Sequence, residues 1–564
     1  MVFNKKKIIW LLLLPALLIS GCVSVDRFNS QINTPRTVNE LKGDVDYTLH
    51  KLEKLHPDLY HFISKKDLEY KFDSLKASIT APMTSNEFFF SLSPVIASIR
   101  QGHTQTFPLV KRLKPAEKRI ERSKGLTPLA QYEFELFDTR LYIVKNNSDN
   151  PGIKAGTEVL SVNGTAPMDI ITKYRNTFTS DGYNTTFITR RQGRAFARYF
   201  QYQYGMMDSL TCKINYKDTI STVLLRTVEK TKTPELKKTK EEAKKEKKSQ
   251  KVERRKRRLL GYDPLKRIYS KQLTFPVKDS SIAIMKISDF MKGNYRKFYR
   301  ESFKLLDTLN TNVLIIDVRD NGGGHVHEIN TLYSYLADSS FRLVDKSEVT
   351  SRTSLWHVGY YHDKPLWMQA IQTVLLPIVA GIDLYTYLKV RKGNDRKYYY
   401  SFRDCKITKP RATRFKGKVY VLVNGGCFSA TCLLSSNLSG SKRATFVGEE
   451  TGGSFNGCVA GILPVSTLPS SKLGVRYGLM SIKTHYISEK DGRGIFPDIT
   501  ITPTIQDRIN GTDPELNYVL KRIYTDKNIQ ISTDKRRGFT QIRKRLALML
   551  NYVLIFKHYS TFNH

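Results

Sequence analysis

One stretch decides the fold that this sequence predicts, Val419-Tyr420-Val421-Leu422-Val423-Asn424-Gly425-Gly426-Cys427-Phe428-Ser429-Ala430-Thr431. It begins with five apolar or aromatic residues, three of them valine, a pattern that predicts a buried strand. Two glycines break the strand, and the apolar residues after Ser429 favour the start of a helix. This order exposes a hydroxyl at a sheet edge and aims the next amide, that of Ala430, at a developing oxyanion. The alternative is that Ser429 is an ordinary helix N-cap.

A second stretch has a matching pattern, Asn312-Val313-Leu314-Ile315-Ile316-Asp317-Val318-Arg319-Asp320-Asn321-Gly322-Gly323-Gly324. It also predicts a buried strand, and it ends in three glycines. Glycine lets the backbone approach a substrate closely and turn its N–H groups outward as an anion nest. The two stretches together suit acyl transfer, because Ser429 supplies the nucleophile and the amides of Ala430 and of Gly323 or Gly324 hold the oxyanion.

Three motifs in this order resemble the C-terminal processing peptidases (tail-specific proteases) and their tricorn-like relatives. They are Asp317-Val318-Arg319-Asp320-Asn321-Gly322-Gly323-Gly324, the Ser429-Ala430 pair and Gly448-Glu449-Glu450-Thr451-Gly452-Gly453. The resemblance covers roughly residues 30–523. It implies a multi-domain α/β protein with a ClpP/crotonase-like catalytic core, a helical N-terminal domain and a PDZ-like β-rich domain. It also implies serine-type peptidase activity that needs no metal or cofactor.

The resemblance also indicates which base the serine uses. Many of these peptidases use a lysine after the Gly-Glu-x-Thr segment, but Ser454 occupies that position here. The segment Gly102-His103-Thr104 instead resembles the tricorn-like branch, in which the histidine is the general base, although a lone histidine is more often structural. Asp491 matches the carboxylate that orients the histidine, with Glu489 as the alternative. A histidine base predicts that activity falls below roughly pH 6 to 7.

The first residues predict export. Three lysines precede a twelve-residue apolar run, Ile8 to Ile19, which is too short to span a bilayer and typical of a signal peptide. The run ends in Leu18-Ile19-Ser20-Gly21-Cys22, which resembles a bacterial lipobox and implies lipidation of Cys22. The alternative is a simple secretory signal with an incidental cysteine. We expect a lipid-anchored protein of the cell envelope, at the outer membrane or the periplasmic face.

The chain is strongly basic, with 92 Lys and Arg against 52 Asp and Glu and a net charge of +40. Residues 229–258 supply only +9 of it, so the charge is distributed. Nucleic acid is the usual partner of such a protein. The predicted export argues against nucleic acid and favours anionic lipid surfaces. Five cysteines beyond Cys22 show no zinc-site spacing, and we interpret the two beside Ser429, Cys427 and Cys432, as packing residues, with Cys427 as a weak competing nucleophile.

The sequence divides into six segments. They are a signal peptide (1–21), a helical domain (22–110), a PDZ-like domain (125–228), a basic linker (229–268), a catalytic domain (269–505) with an insertion (351–402), and a C-terminal helix with a basic tail (506–564). Within the insertion, the apolar stretch Trp367 to Leu388 predicts a cap helix pair over the cleft or an interfacial helix. The predicted function is a membrane-anchored serine endopeptidase acting on exported proteins or peptides. The rival is a non-catalytic PDZ-bearing lipoprotein that acts as a binding scaffold, and the oligomeric state stays open.

Overall fold

The computed structural model describes residues 25–228, 240–264, 268–276, 280–356, 371 and 375–531. The predicted signal peptide with Cys22, part of the basic linker, part of the insertion and the tail after residue 531 lie outside the described residues. The described chain is a mixed α/β, multi-domain protein, as predicted. Among its helices, none is long and apolar enough to cross a membrane.

The N-terminal region is helical, as predicted. Its elements are α1 (Val25–Ile32), α2 (Val38–Leu55), α3 (Lys65–Ser78), α4 (Ser85–Ala97), β1 (Gln105–Phe107) and α5 (Pro115–Ser123). Capping boxes begin α2 and α4, because Thr37 and Thr84 each accept a hydrogen bond from the backbone of a glutamate three residues later. The turn after α4 carries His103.

The next region is a five-stranded antiparallel sheet in the order β2-β3-β4-β5-β6. Its elements are β2 (Tyr132–Phe137), β3 (Arg140–Asn146), β4 (Thr157–Val162), α6 (Pro167–Arg175), α7 (Thr186–Tyr204), β5 (Ser209–Tyr216) and β6 (Thr219–Arg226). This region therefore combines a five-stranded sheet with two helices, and its PDZ-like identity stays a prediction. Residues 176–185 connect α6 to α7. Together with the first residue of α7, they reach into the catalytic region.

The basic segment forms a helix in its described part, α8 (Lys240–Leu260). A short β-hairpin follows, β7 (Tyr262–Asp263) and β8 (Ile268–Tyr269), and then the edge strand β9 (Lys271–Thr274). In chain order, β9 is the first strand of a six-stranded sheet.

The catalytic region alternates strands and helices. Its elements in chain order are β10 (Ile282–Ile287), α9 (Tyr295–Thr308), β11 (Val313–Asp317), α10 (Val326–Ser334), β12 (Ser347–Val349), α11 (Leu376–Lys389), β13 (Val390–Lys392), β14 (Tyr398–Tyr400), β15 (Lys418–Val423), α12 (Ala430–Gly440), β16 (Thr445–Gly448), β17 (Gly457–Ala460), β18 (Val465–Thr467), β19 (Gly474–Arg476), β20 (Met480–Lys483), β21 (Ile499–Thr500), α13 (Ile505–Asn510) and α14 (Pro514–Ile531). The strands predicted around Val313 and Val419 and the helix predicted after Ser429 are all present.

Three sheets organise this region. The largest has the order β21-β16-β15-β11-β10-β9, in which all neighbours are parallel except β9. A second sheet has the order β13-β14-β12-β20-β17, and the hairpin of β18 and β19 pairs with β1 from the N-terminal region. That pairing fastens the chain next to His103 onto the catalytic region.

The six-stranded sheet is buried on both faces, which explains why its strands read as continuous apolar runs. One face packs Ile315, Tyr420 and Val447 against Val519 and other residues of α14. The opposite face, with Leu314 and Val421, belongs to the main core. All five residues of β11 are buried.

We expect Ile315→Ala to lower the free energy of unfolding by about 2–5 kcal/mol, because it removes fully buried methyl groups and leaves a cavity between the sheet and α14. Urea-induced unfolding followed by circular dichroism measures the loss. Ile407, which is 67% exposed, offers the matched control, and Ile407→Ala should change stability by less than about 0.5 kcal/mol. Equal stability of the two variants would contradict the buried position of β11.

Candidate active site

The parallel pairing of β11 and β15 brings the two predicted motifs together. The register aligns Asp317 with Leu422, so both chains leave the sheet at the same edge. The amide of Phe428 donates to the carbonyl of Asn321 over 3.0 Å and joins the two loops. A Cβ atom at Gly323 would lie 2.9 Å from both the Ala430 nitrogen and the Ser429 Cβ, so only glycine fits this contact.

Ser429 sits on a strained turn between β15 and α12. Its backbone has φ 55° and ψ −125°, a conformation that favours glycine and costs a serine about 1–3 kcal/mol. Its hydroxyl makes no cap hydrogen bond to the described start of α12. The interpretation of Ser429 as an ordinary N-cap is therefore wrong. The strain instead holds the hydroxyl away from the helix, as in a nucleophile elbow.

His103 lies opposite this hydroxyl. Its Nε2 is 3.1 Å from the Ser429 Oγ, a distance at which the imidazole can accept the serine proton. The ring packs against Phe428, with 5.0 Å between ring centroids. Arg476 of β19 donates from Nε to the His103 carbonyl over 3.0 Å and fixes the turn. The structure thus joins two residues that are 326 positions apart in the sequence.

The surroundings of His103 keep its imidazole neutral. Burial, followed by the nearby Arg476 guanidinium, lowers the His103 pKa to about 3. A neutral imidazole is the form that accepts a proton. The pH limit of roughly 6 to 7 that an ordinary histidine would set therefore does not apply to His103 in this environment.

The three predicted oxyanion donors differ in their availability. The amide of Gly323 donates to the side-chain Oδ1 of Asn321 over 2.9 Å. Within the described chain, the amides of Gly324 and Ala430 donate to no acceptor. Ala430 also opens α12, whose first-turn N–H groups attract negative charge. Of the three predicted donors, Gly324 and Ala430 therefore have amides that are available to an oxyanion.

Asp491 is not brought to the histidine. Its Oδ2 lies 2.7 Å from His61 Nε2, and its Oδ1 accepts a hydrogen bond from Asn456 over 2.9 Å. The Nδ1 of His103 has no hydrogen-bond partner among the described residues. The alternative Glu489 is exposed. Both carboxylates lie elsewhere because His61 and Asn456, which come from other parts of the chain, hold the loop that carries them.

The lysine that many relatives use is also absent from this geometry. Ser454, at the matching position, is buried, and the preceding Gly453 lies beside the Ser429 amide. Lys442 is exposed just beyond the far end of α12 from Ser429. Since α12 has 11 residues, the two ends are roughly 16 Å apart. Of the candidate bases, His103 alone is in contact with Ser429.

Residues 179–186, which we call the bracing loop, are the part of the site that the sequence did not predict. They connect α6 and α7 of the β-rich region and insert beside His103. The carboxylate of Asp181 accepts from the Gly102 amide over 2.7 Å and from the Ser454 amide over 3.4 Å. Asp181 therefore joins the turn that carries His103 to the loop that follows the nucleophile.

Further hydrogen bonds fix the bracing loop on both sides. Towards His103, Thr179 donates to the Thr104 carbonyl and the Gly182 amide donates to the Arg100 carbonyl. Towards the catalytic region, the Asn184 side chain donates to the Thr451 carbonyl over 2.8 Å. The loop thus sets the spacing between the serine and histidine elements, which belong to different parts of the chain.

Asp181 is itself an unusual carboxyl group. Only 1% of it is exposed, and burial raises its pKa to about 6 although the two amide hydrogen bonds favour the charged form. In the sequence it stands in a short polar segment, Thr179-Ser180-Asp181-Gly182, that indicates only a turn. All its partners lie at least 79 positions away, so no local pattern reveals its role.

The cysteines near the site pack as predicted. The Cys427 thiol donates to the Val318 carbonyl over 3.0 Å, and burial raises its pKa well above the usual range, which argues against a thiolate nucleophile. Cys458 of β17 interacts with the Ser429 hydroxyl, and burial raises its pKa as well. In the described part of the chain, no group of three or more metal-ligating side chains is present. His327 contacts Asp404 instead.

A cavity of about 350 Å³ is lined by neighbours of the serine and histidine, although not by Ser429 or His103 themselves. Gln101, Ser454 and Cys458 line the side towards the active site, and apolar side chains that include Phe62 and Ile482 line the walls. Its charged lining residues are Asp58, His61, Lys483 and Asp491. The predicted triad carboxylate Asp491 is therefore a wall residue of this cavity.

A serine on a strained turn, facing a neutral histidine and two available amides, has the geometry of a serine-type peptidase. Residues 281–501 match the family model of Peptidase family S41, and the chain is a serine-type peptidase. The predicted likeness to C-terminal processing peptidases is confirmed. A comparison with curated protein sequences found no match.

Solved structures with a similar fold include that of mature CPAF. It is 15% identical over 86% of this chain and 96% of CPAF, with a TM-score of 0.54. The structure of mature CPAF complexed with lactacystin is also 15% identical, over 86% of this chain and 98% of that chain, with a TM-score of 0.55. At this level of identity the likeness bears on the fold. With 86% of this chain covered, it extends well beyond residues 281–501.

We expect Asp181→Asn to lower kcat about 10- to 100-fold with little change in KM, because an NH2 group replaces one of the two oxygens that each accept a backbone N–H, and the serine and histidine lose their spacing. Protonation of Asp181 has the same effect, so the parent enzyme should lose activity as the pH falls through about 6. This acid limb should be absent from the variant. Peptide hydrolysis measured between pH 4 and 9 tests both expectations.

The matched control is Asp404→Asn, which changes another buried carboxylate, in contact with Asn330 and His327 rather than with the active-site loops. It should keep the parent kcat and pH profile. An Asp181→Asn enzyme with parent kcat and an unchanged acid limb would show that Asp181 has no positioning role.

Proposed function

We propose that this protein is a membrane-anchored serine endopeptidase that cleaves exported proteins or peptides through an acyl-enzyme on Ser429. The observation that carries the proposal is the 3.1 Å contact between Ser429 Oγ and His103 Nε2, with Ser429 in a strained conformation. Strain of this kind persists only where the surrounding structure enforces it, and it is common at active sites.

The reaction begins when a substrate carbonyl lies over Ser429. His103 takes the hydroxyl proton onto Nε2 while Oγ attacks the carbonyl carbon. The amides of Ala430 and Gly324 stabilise the oxyanion that forms. The imidazolium then gives its proton to the leaving amine, and the acyl-enzyme remains. A water molecule, deprotonated by His103, hydrolyses the ester and restores the free hydroxyl.

The unpartnered Nδ1 of His103 affects this sequence. In a triad, a carboxylate stabilises the imidazolium and fixes the tautomer. In the described residues His103 lacks that partner, and its environment disfavours the charged form. The imidazolium is therefore costly here, and the oxyanion amides and the positioning by the bracing loop supply most of the stabilisation of the transition state.

The cavity beside Ser429 supports a substrate with a medium-sized apolar side chain next to the scissile bond. Its volume of about 350 Å³ is within the range of ligand sites, and its walls include Phe62, Val459 and Ile482. The charged groups Asp58 and Lys483 stand among its lining residues, and these fit a polar backbone or side chain that extends beyond the apolar wall.

We expect Ser429→Ala and His103→Ala each to lower kcat at least about 10⁴-fold, because the two side chains act as one unit. Hydrolysis of casein measures the loss. Labelling by a fluorophosphonate probe reports the nucleophile directly and should disappear in Ser429→Ala. The matched controls are Ser436→Ala, a buried serine farther along α12, and His327→Ala; both should keep activity.

These outcomes also separate the proposal from its rival, a PDZ-bearing binding scaffold that keeps an inactive core. A parent protein that takes no fluorophosphonate label and hydrolyses no casein would support the scaffold. Full activity of His103→Ala would refute the histidine as the base while leaving Ser429 in place.

Anchoring is the second part of the proposal, and the lipobox-like sequence before Cys22 supports it. We expect labelled palmitate to enter the parent protein during growth and to be absent from Cys22→Ala, because the thiol accepts the diacyl group. Cys212→Ala, which removes a buried thiol, is the control and should be labelled like the parent. Equal labelling of the parent and Cys22→Ala would reject the lipobox interpretation.

A further inference from the structure

Helix α11, within the predicted insertion, has its apolar side chains on the outside. None of its residues is buried. Its large apolar side chains are each at least half exposed, namely Leu376, Ile378, Ile382, Leu384, Tyr385 and Leu388. In a soluble protein the apolar stripe of a surface helix faces the core. Here an apolar surface of several turns faces away from the protein, which is the signature of an interaction site.

The described contacts of α11 with the segment before it are few. The backbone carbonyl of Asp383 accepts a hydrogen bond from the Trp356 indole over 3.0 Å. The Tyr387 hydroxyl accepts one from Arg352 over 3.1 Å, and the Arg352 guanidinium also stacks on the Tyr387 ring. These contacts hold α11 to the protein while its large apolar side chains stay exposed.

Basic residues follow the apolar surface directly. Lys389 ends α11, and Arg391 and Lys392 lie in β13; all three side chains are exposed. Each lysine or arginine near an anionic bilayer adds to binding, and tyrosine and tryptophan prefer the boundary between headgroups and acyl chains. Tyr385 of the helix and Trp356 beside it are partly or largely exposed. Apolar, aromatic and basic groups thus occur in the order that a bilayer surface presents.

We propose that α11 and the basic residues Lys389, Arg391 and Lys392 form a second membrane contact, which inserts into the headgroup region of an anionic bilayer. The helix has 14 residues and is roughly 21 Å long, shorter than the apolar thickness of a bilayer of about 30 Å. It therefore lies in the plane of the interface with its outer face buried. The contact does not depend on a lipid at Cys22.

Charge favours a bilayer over a second copy of this chain. A symmetric contact between two copies would place the same surface on both sides, so the three basic residues of each copy would enter one interface. The chain as a whole carries a net charge of +40, which adds to the repulsion. An anionic bilayer offers both an apolar layer for the helix and negative charge for its basic end.

The contact would lie on the same sheet as the active site. α11 continues into β13, an edge strand of the sheet β13-β14-β12-β20-β17. The opposite edge, β17, carries Cys458, whose thiol interacts with the Ser429 hydroxyl. Four strand spacings separate the two edges, roughly 19 Å. A bilayer at α11 would therefore keep the substrate cavity close to the membrane surface.

Vesicle flotation of the full-length chain tests the proposal. The chain carries Cys22→Ala, so that no lipid anchor contributes, and the vesicles contain either phosphatidylglycerol with phosphatidylethanolamine or phosphatidylcholine alone. We expect flotation with the anionic vesicles and at least about tenfold weaker binding to the neutral ones. Adding Ile382→Glu and Leu388→Glu should weaken binding to anionic vesicles at least about tenfold, because two inserted apolar side chains become charged.

The matched control carries Ile220→Glu and Ile407→Glu, two residues that are 59% and 67% exposed elsewhere in the protein. It should float like the parent, and both double variants should keep the parent activity on a soluble peptide. Equal flotation of the two double variants, or equal binding to both kinds of vesicle, would overturn the proposal. Sedimentation velocity supplies the competing outcome: a dimer that Ile382→Glu and Leu388→Glu abolish, with vesicle binding unchanged, would assign α11 to a contact between copies.

Discussion

The parallel pairing of β11 with β15 is the constraint on which the rest of the structure depends. It ends both strands at one edge of the sheet, so that the glycine loop and the serine turn meet there. Each loop then needs a backbone that ordinary residues avoid: Gly323 has φ 101° and Ser429 has φ 55°. The strands must therefore be firmly buried, since their packing compensates for the strain at their ends. Both faces of the sheet are covered, by α14 on one side and by the main core on the other.

The sequence predicted those parts of the site whose signals are local. The strand patterns ending at Asp317 and Val423 are continuous apolar runs, and the glycines and the serine follow them directly. The pairing of Ser429 with His103 was predicted only through a resemblance, because the two residues are 326 positions apart and nothing between them shows that their side chains meet. Asp491 was predicted as the triad carboxylate from its position relative to a family motif. That prediction took no account of His61 and Asn456, whose hydrogen bonds to Asp491 come from distant parts of the chain.

The bracing loop illustrates what such patterns miss. Asp181 has no apolar periodicity and no motif around it, and its function arises from two backbone amides that belong to other elements. Removal from water disfavours the charge of a carboxylate, so burying Asp181 costs free energy that its two amide hydrogen bonds only partly offset. Here it organises the distance between the histidine turn and the nucleophile loop. The β-rich region therefore takes part in the active site through the loop between α6 and α7, whatever its own sheet binds.

Burial shifts the pKa values of the two ionisable groups of the site in opposite directions, and these shifts set the role of each group. It lowers the pKa of His103 to about 3, so the base is always free to accept a proton, and it raises that of Asp181 to about 6. A base with so low a pKa is weak, since its protonated form is poorly stabilised. Proton transfer from Ser429 then depends on the oxyanion amides, which must take up the negative charge as it forms. The amides are fixed by Gly323 packing on Ala430, and the histidine is fixed by Asp181 and Arg476. The site thus relies on rigid positioning where a triad relies on a third charge, and the loops that hold Ser429 and His103 act through these two reacting residues.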